Sequence, residues 1–198
     1  MTTTTTSLTT PPPPVGRFRT AWRAAHDPVP GVPRWARNAA YAIPFVVLPS
    51  SIWRLGAAFS PDADGKDGNL PSWLPGEVYV VLLSLLSELL AFTAVGLVAR
   101  WGEVFPRRIP LLGGRRVPPL AAAVPAALGS LALTAMWTAV VVADASGVTI
   151  RGDKSPSDYP GNQGGWDGVL FYAGYLPLLL WGPLLAAVTV AYWKRRRR

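Results

Sequence analysis

One long apolar segment with a carboxylate near its middle constrains this chain more than any other feature. Residues 77–99 read EVYVVLLSLLSELLAFTAVGLVA, and the internal carboxylate is Glu88. At about 1.5 Å per residue, a helix of this length crosses a hydrocarbon core of roughly 30 Å. Because the segment is too apolar for the surface helix of a soluble protein, it predicts a membrane protein.

Three further apolar segments complete the predicted membrane domain, which covers residues 35–193. We expect an all-α, polytopic protein with a four-transmembrane-helix bundle. Prolines lie inside the first and last spans and should kink them, which membrane helices tolerate when neighbours satisfy the freed carbonyl groups. The four expected spans are residues 38–60, 77–99, 119–143 and 168–193.

Both ends of the chain differ in composition from the apolar segments. Residues 1–34 begin with MTTTTTSLTTPPPP, which has nothing to bury, so the segment is expected to be a disordered cytoplasmic arm. Residues 194–198 read KRRRR and predict a basic cytoplasmic tail. No basic n-region followed by a short apolar stretch opens the sequence, so it does not read as a secretory signal.

Charge alternates between the segments that separate the spans. Residues 15–37 and 100–119 each carry five arginines and one acidic residue, a net charge of +4. Residues 60–76 and 144–167 each have a net charge of −2. Because cytoplasmic segments are enriched in lysine and arginine, this alternation predicts four spans with both termini in the cytoplasm.

Composition excludes several classes of site and partner. The chain has no cysteine and one histidine, so disulfides, thiolate metal sites and bis-histidine haem are excluded, and we expect no metal and no cofactor. The formal net charge of +8 would suggest nucleic acid for a soluble protein. Here the basic residues flank apolar segments, so the expected partners are membrane lipids, and nucleic acid is not expected.

A charged pair inside the membrane is the most informative candidate site. Glu88 has Ser84 and Ser87 on its helical face, and Arg54 lies near the outer end of the first span. In antiparallel neighbours, side chains that lean toward their helix N-termini would bring Arg54 and Glu88 toward each other. Three interpretations are open: a buried structural pair, a neutral Glu88 with Arg54 reaching the interface, and a site that handles protons or a substrate.

The loops provide a second set of candidates. The cytoplasmic loop carries two arginine pairs that could contact anionic lipids, Arg107, Arg108, Arg115 and Arg116, although positive-inside flanking is the favoured explanation. Glu103 is expected to pair with one of these arginines. The outer loop, residues 144–168, should be mobile or form a cap over the bundle.

Small residues predict which faces of the last two spans pack together. Ser130 and Thr134 belong to a stripe of small residues at steps of four in the third span, and Gly182 and Ala186 have the same spacing in the fourth. Since lipid offers no hydrophobic force between helices, close packing depends on such faces. We therefore expect both faces to lie inside the bundle.

Two segments carry a resemblance to a known group. LLSELLAFTAVGLVARWGEVFPRRIPLLGGRRVPP and VVLPSSIWR are similar to uncharacterised four-span integral membrane proteins of high-GC Gram-positive bacteria. The resemblance covers residues 40–193 and implies topology and localisation in the cytoplasmic membrane. It assigns no role to any residue.

The sequence favours a non-enzymatic protein. We expect an accessory or small-molecule- or lipid-binding bundle, working with a membrane protein partner or as a homo-oligomer. The alternative is a small transporter or proton-coupled permease unit that uses Glu88 and Arg54. An enzyme would have to place its chemistry on Glu88, because no histidine in the membrane could serve as a base for a serine.

Overall fold

Helices are the regular secondary structure of the described part of the chain. The computed structural model describes residues 16, 29–60, 71, 73–104, 114, 116–156, 159–162 and 164–197. Its α-helices are α1 (Arg34–Ala58), α2 (Gly76–Thr93), α3 (Pro119–Ala145), α4 (Trp166–Tyr175) and α5 (Trp181–Arg196). Short 3₁₀ turns occupy Ala94–Leu97, Arg100–Gly102, Pro160–Asn162 and Leu176–Leu180. No β-strand occurs in these ranges, which confirms the all-α prediction there; most of the predicted arm, residues 1–28 apart from Gly16, lies outside them.

Three helical stretches of the described chain are long and apolar enough to cross a membrane. They are Gly76–Leu97, Pro119–Ala145 and Trp166–Arg196, and they match three of the four predicted spans. Helix α1 has 25 residues but is not among them; it contains Arg54, Pro44 and Pro49 within its apolar part. The chain is thus a helical protein with three candidate membrane-spanning helices.

Prolines and glycines interrupt two of these stretches. Pro177 lacks a backbone donor, so the last stretch changes to a 3₁₀ turn between α4 and α5. Pro183 lies in the first turn of α5, where a missing N–H breaks no helical bond. At the end of α2, Gly96 leaves room for the Trp101 ring, which also stacks on Phe92 with ring centroids 5.9 Å apart.

The helices pack in the order α2, α1, α5, α3. Helix α1 packs against α2 on one side and against α4 and α5 on the other, and α5 also packs against α3. Within the described residues α2 and α3 have no comparable contact, so this side of the bundle is open. A groove of about 460 Å³ lies there, with Trp181 and Leu185 of α5 among its lining residues.

Helix α5 approaches α3 most closely at Gly182, the contact predicted from small residues. A Cβ added at Gly182 would lie 2.7 Å from Thr134 N and 2.9 Å from Ser130 O. Ser130 is 3% exposed, and its hydroxyl donates a hydrogen bond to Ala127 O at 2.8 Å. The predicted interior position is therefore confirmed at Ser130, whereas Thr138 at the end of the same stripe is exposed.

Large apolar side chains cover the outside of the bundle. Helix α2 buries only Ser84 and Ala91, and α3 buries only Ala123 and Ser130. The outward leucines of these two helices are mostly exposed. An apolar surface of this extent is typical of a protein that contacts lipid or other membrane helices.

We predict that Gly182→Ala destabilises the bundle. Its new methyl group would meet backbone atoms of α3, so the two helices would have to separate, at a cost of about 1–3 kcal/mol. The measurement is the thermal unfolding of the purified protein in detergent. Gly129→Ala is the matched control on α3, because its Cβ would meet only Leu185 Cδ2 at 4.0 Å. Equal stability of the two variants would contradict the close approach.

Candidate functional site

The predicted polar pair lies where α1 faces α2. Ser51 Oγ donates a hydrogen bond to Glu88 Oε1 at 3.0 Å. Arg54 Nη2 donates to Ser51 Oγ at 3.5 Å, which is a long and weak contact. The contacts of the described residues include no ion pair between Arg54 and Glu88. Ser51 therefore connects the two charged groups.

The other two predicted members of this site have different partners. Ser87 Oγ donates to Leu83 O at 2.8 Å, within its own helix. Ser84 Oγ is buried and has no hydrogen-bond partner among the described residues. The serine that binds Glu88 is Ser51, which the sequence analysis missed. Its spacing of three residues from Arg54 places both on one face of α1, so helical periodicity could have identified it.

Arginine side chains in the last turn of α5 form hydrogen bonds to neighbouring segments at one end of the bundle. We call this end the Arg195 end. Arg195 Nη2 donates to Glu103 Oε1 at 2.7 Å and to Leu97 O at 3.3 Å. Arg196 Nη2 donates to Val117 O at 2.7 Å. Glu103 thus pairs with Arg195 of α5. Its expected pairing with a loop arginine stays a prediction, because Arg107, Arg108 and Arg115 lie outside the described residues. Residues 194–196 continue α5 instead of beginning a separate tail.

The predicted lipid-contacting arginines are only partly described. Arg116 is exposed, and its backbone forms an isolated antiparallel β-bridge with Val104. Arg107, Arg108 and Arg115 lie outside the described residues. Contact of this loop with anionic lipid stays a prediction.

A cavity that the sequence analysis missed lies at the other end of the bundle, which we call the Asp144 end. It has a volume of about 330 Å³ and lies between the last turns of α3 and the helix α4. Volumes of this size accommodate small organic molecules. Ten residues line it: Trp137, Val140, Val141, Asp144, Tyr159, Phe171, Tyr172, Tyr175, Leu176 and Leu179.

Aromatic rings form much of the cavity wall and fix one another in place. Phe171 packs edge-on against Trp53 with centroids 5.3 Å apart and against Tyr159 with centroids 5.2 Å apart. It also packs against Tyr175 at 4.8 Å. Such offset and edge-on pairs stabilise a defined ring arrangement. Tyr159 belongs to the loop of residues 144–168. Because its ring packs against Phe171 of α4, this part of the loop caps the bundle, which is one of the two forms expected for the loop.

A few polar groups belong to the residues that line this mostly apolar space. The hydroxyl of Tyr172 donates a hydrogen bond to Asp144 Oδ2 at 2.9 Å. The indole Nε1 of Trp137 is buried and has no hydrogen-bond partner among the described residues. Burial raises the pKa of the Tyr159 phenol, and the neighbouring Asp144 carboxylate raises it further. Tyr159 is therefore a neutral ring at physiological pH.

Helix α1 connects the lining of the cavity to the Glu88 site. Trp53 packs edge-on against Tyr175 with centroids 5.3 Å apart. Arg54, the next residue, is close enough to Tyr175 for its charge to act on the phenol. A displacement of α1 at Trp53 would therefore affect both sites.

Comparisons with known proteins give no relative. No protein-family model, no curated protein sequence and no solved structure matches the chain. A functional proposal must therefore rest on the geometry of the cavity and of the Glu88 site.

Proposed function

We propose that the chain is a multi-pass protein of the bacterial cytoplasmic membrane, with four spans and both termini in the cytoplasm. The antiparallel packing of α1 against α2 supports a fourth span, since α1 would extend for about 37 Å at 1.5 Å per residue. The alternation of basic and acidic connecting segments supports the orientation. In this topology the Arg195 end is cytoplasmic and the Asp144 end faces outward.

We further propose that the protein is a non-enzymatic bundle that binds a small molecule, as an accessory subunit or alone. The observation that supports this most is the cavity at the Asp144 end. Ligand sites are usually preformed, mostly apolar and equipped with a few polar groups that orient the ligand, and this cavity has each property. Its lining residues include one carboxylate but no histidine, serine or cysteine, so no nucleophile and base meet there.

Membrane lipids, a protein partner or further copies of the chain would complete the assembly. The exposed apolar faces of α2 and α3 and the groove between them support such contacts. The groove shares no lining residue with the cavity, so a partner could bind there without closing it.

The test is native mass spectrometry of the tagged protein extracted gently from its own membrane. We predict that the wild type retains a small molecule and that Val140→Phe loses it, because the larger ring would occupy the cavity. Val142→Phe is the matched control, since Val142 lies two residues further along α3 and is 59% exposed outside the cavity. It should retain the same added mass.

Two results would contradict this proposal. The first is a wild type without any added mass, whether monomeric or assembled. The second is an added mass that Val140→Phe retains as fully as Val142→Phe does, which would place the bound molecule elsewhere. A defined second protein in the spectrum would identify the accessory role.

A second candidate function is proton-coupled transport through Glu88. The observation that favours it is that, within the described residues, the carboxylate of Glu88 accepts a hydrogen bond from Ser51 and forms no ion pair. Intramembrane carboxylates of this kind often mark proton pathways. We predict that proteoliposomes with wild-type protein carry protons down an imposed pH gradient and that Glu88→Gln abolishes this flux. The measurement uses a pH-sensitive dye enclosed in the vesicles.

The amide of Glu88→Gln can still accept the hydrogen bond from Ser51, so the variant changes the titrating group and little else. Ser51→Ala is the control that removes the hydrogen bond and keeps the carboxylate, and it should retain proton flux. A wild-type flux no greater than that of empty vesicles would exclude this second function.

A further inference from the structure

The charge of the aromatic cavity determines which ligands it can accept. Among the described residues that line it, Asp144 is the one acidic residue, and none is a lysine, an arginine or a histidine. The described residues form no ion pair with Asp144. A ligand in the cavity therefore meets one negative charge that no side chain of the lining balances.

The hydrogen bond from Tyr172 leaves the charge of Asp144 in place. It satisfies Oδ2 of the carboxylate at 2.9 Å, and the same hydroxyl lies 3.4 Å from Gly161 O. A hydroxyl donor orients a carboxylate but does not neutralise it. An anionic ligand would be repelled here, and a cation would be attracted.

The rings of the wall favour the same sign of charge. Tyr159, Phe171 and Tyr175 form one continuous set of contacts around the space, and Trp137 packs against Tyr175 with centroids 6.2 Å apart. Aromatic faces carry partial negative charge and attract cations, most strongly those with a diffuse charge such as quaternary ammonium groups. A wall of rings beside a carboxylate is the arrangement that such cations need.

The remaining lining selects against a small, strongly hydrated ion. Val140, Val141, Leu176 and Leu179 offer only apolar contacts. A metal ion would need several oxygen ligands, and Asp144 supplies the only carboxylate. The cavity of about 330 Å³ therefore fits an organic cation with an apolar body.

We propose that the cavity at the Asp144 end binds a monovalent organic cation of the quaternary ammonium type, with Asp144 as its counter-ion and the surrounding rings as its cage. This inference rests on the proposed binding function and specifies the class of its ligand. In the proposed topology the cation would enter from outside the cell.

The test uses benzyltrimethylammonium as the probe and isothermal titration of the full-length protein in a non-ionic detergent. We expect the wild type to bind this cation and Asp144→Asn to bind it about tenfold or more weakly, because the neutral amide removes the counter-charge. The amide oxygen can still accept the hydrogen bond from Tyr172, so the fold of the variant should be unchanged. Asp153→Asn is the matched control, an exposed aspartate of the loop that follows α3, outside the cavity, and it should bind like the wild type.

Two further probes separate charge from shape. Neopentylbenzene is the neutral carbon isostere of benzyltrimethylammonium, and benzenesulfonate is an anion with the same ring. Neither should displace the cation from the wild type. Tyr159→Leu, a substitution in the capping loop, should weaken cation binding while leaving the carboxylate in place.

Three results would overturn the inference. They are no binding of the cation to the wild type, equal binding to Asp144→Asn, and equal binding of the neutral isostere. Equal binding of the cation to Asp144→Asn, or equal binding of the neutral isostere, would leave the proposed binding function intact. So would a neutral or anionic molecule that appears as an added mass in the native spectrum and is lost in Val140→Phe. Absence of both cation binding and a cavity-dependent mass would remove the two proposals together.

Discussion

The close approach of α5 to α3 is the contact on which the rest of the bundle depends. In lipid, apolar side chains gain little by packing against one another instead of against acyl chains, so two helices stay together only where their backbones come close. Gly182 provides that place, because a side chain there would meet Thr134 N and Ser130 O. Helix α3 buries only Ala123 and Ser130, so this contact is a large part of what holds it.

The same contact determines where the cavity forms. After Pro177 in the chain, α5 lies against α3. Before Pro177, α4 packs against α1 through Gly174, where an added Cβ would lie 3.2 Å from Trp53 Cβ. The last turns of α3 are therefore separated from α4, and aromatic side chains with Asp144 line the space between them. The break at Leu176–Leu180 thus has a structural consequence, since one straight helix packed along α3 would close this space.

The sequence predicted those features that depend on local composition. The apolar segments, the small-residue face with Ser130 and Gly182, and the presence of Arg54 near Glu88 follow from hydropathy and helical period. The cavity could not be predicted in the same way, because its residues come from α3, the outer loop and α4, and their convergence depends on the helix break. The cluster of Phe171, Tyr172 and Tyr175 was a visible signal, but only the structure places Asp144 beside it. Ser51 could not be identified from the helical face of Glu88, because this donor comes from α1 and its contact depends on how α1 packs against α2.

The proposed orientation depends on whether α1 crosses the membrane. If it does, the cavity opens outward while both termini lie inside. The chain has no cysteine, so single cysteines introduced at Ser7 and at Asp153 can be labelled without background. The measurement is labelling of intact cells with a membrane-impermeant maleimide, compared with permeabilised cells. The account predicts that Asp153→Cys is labelled in intact cells and that Ser7→Cys is labelled only after permeabilisation. Labelling of both positions in intact cells would mean that α1 does not cross, and labelling of neither would place the cavity on the inner side.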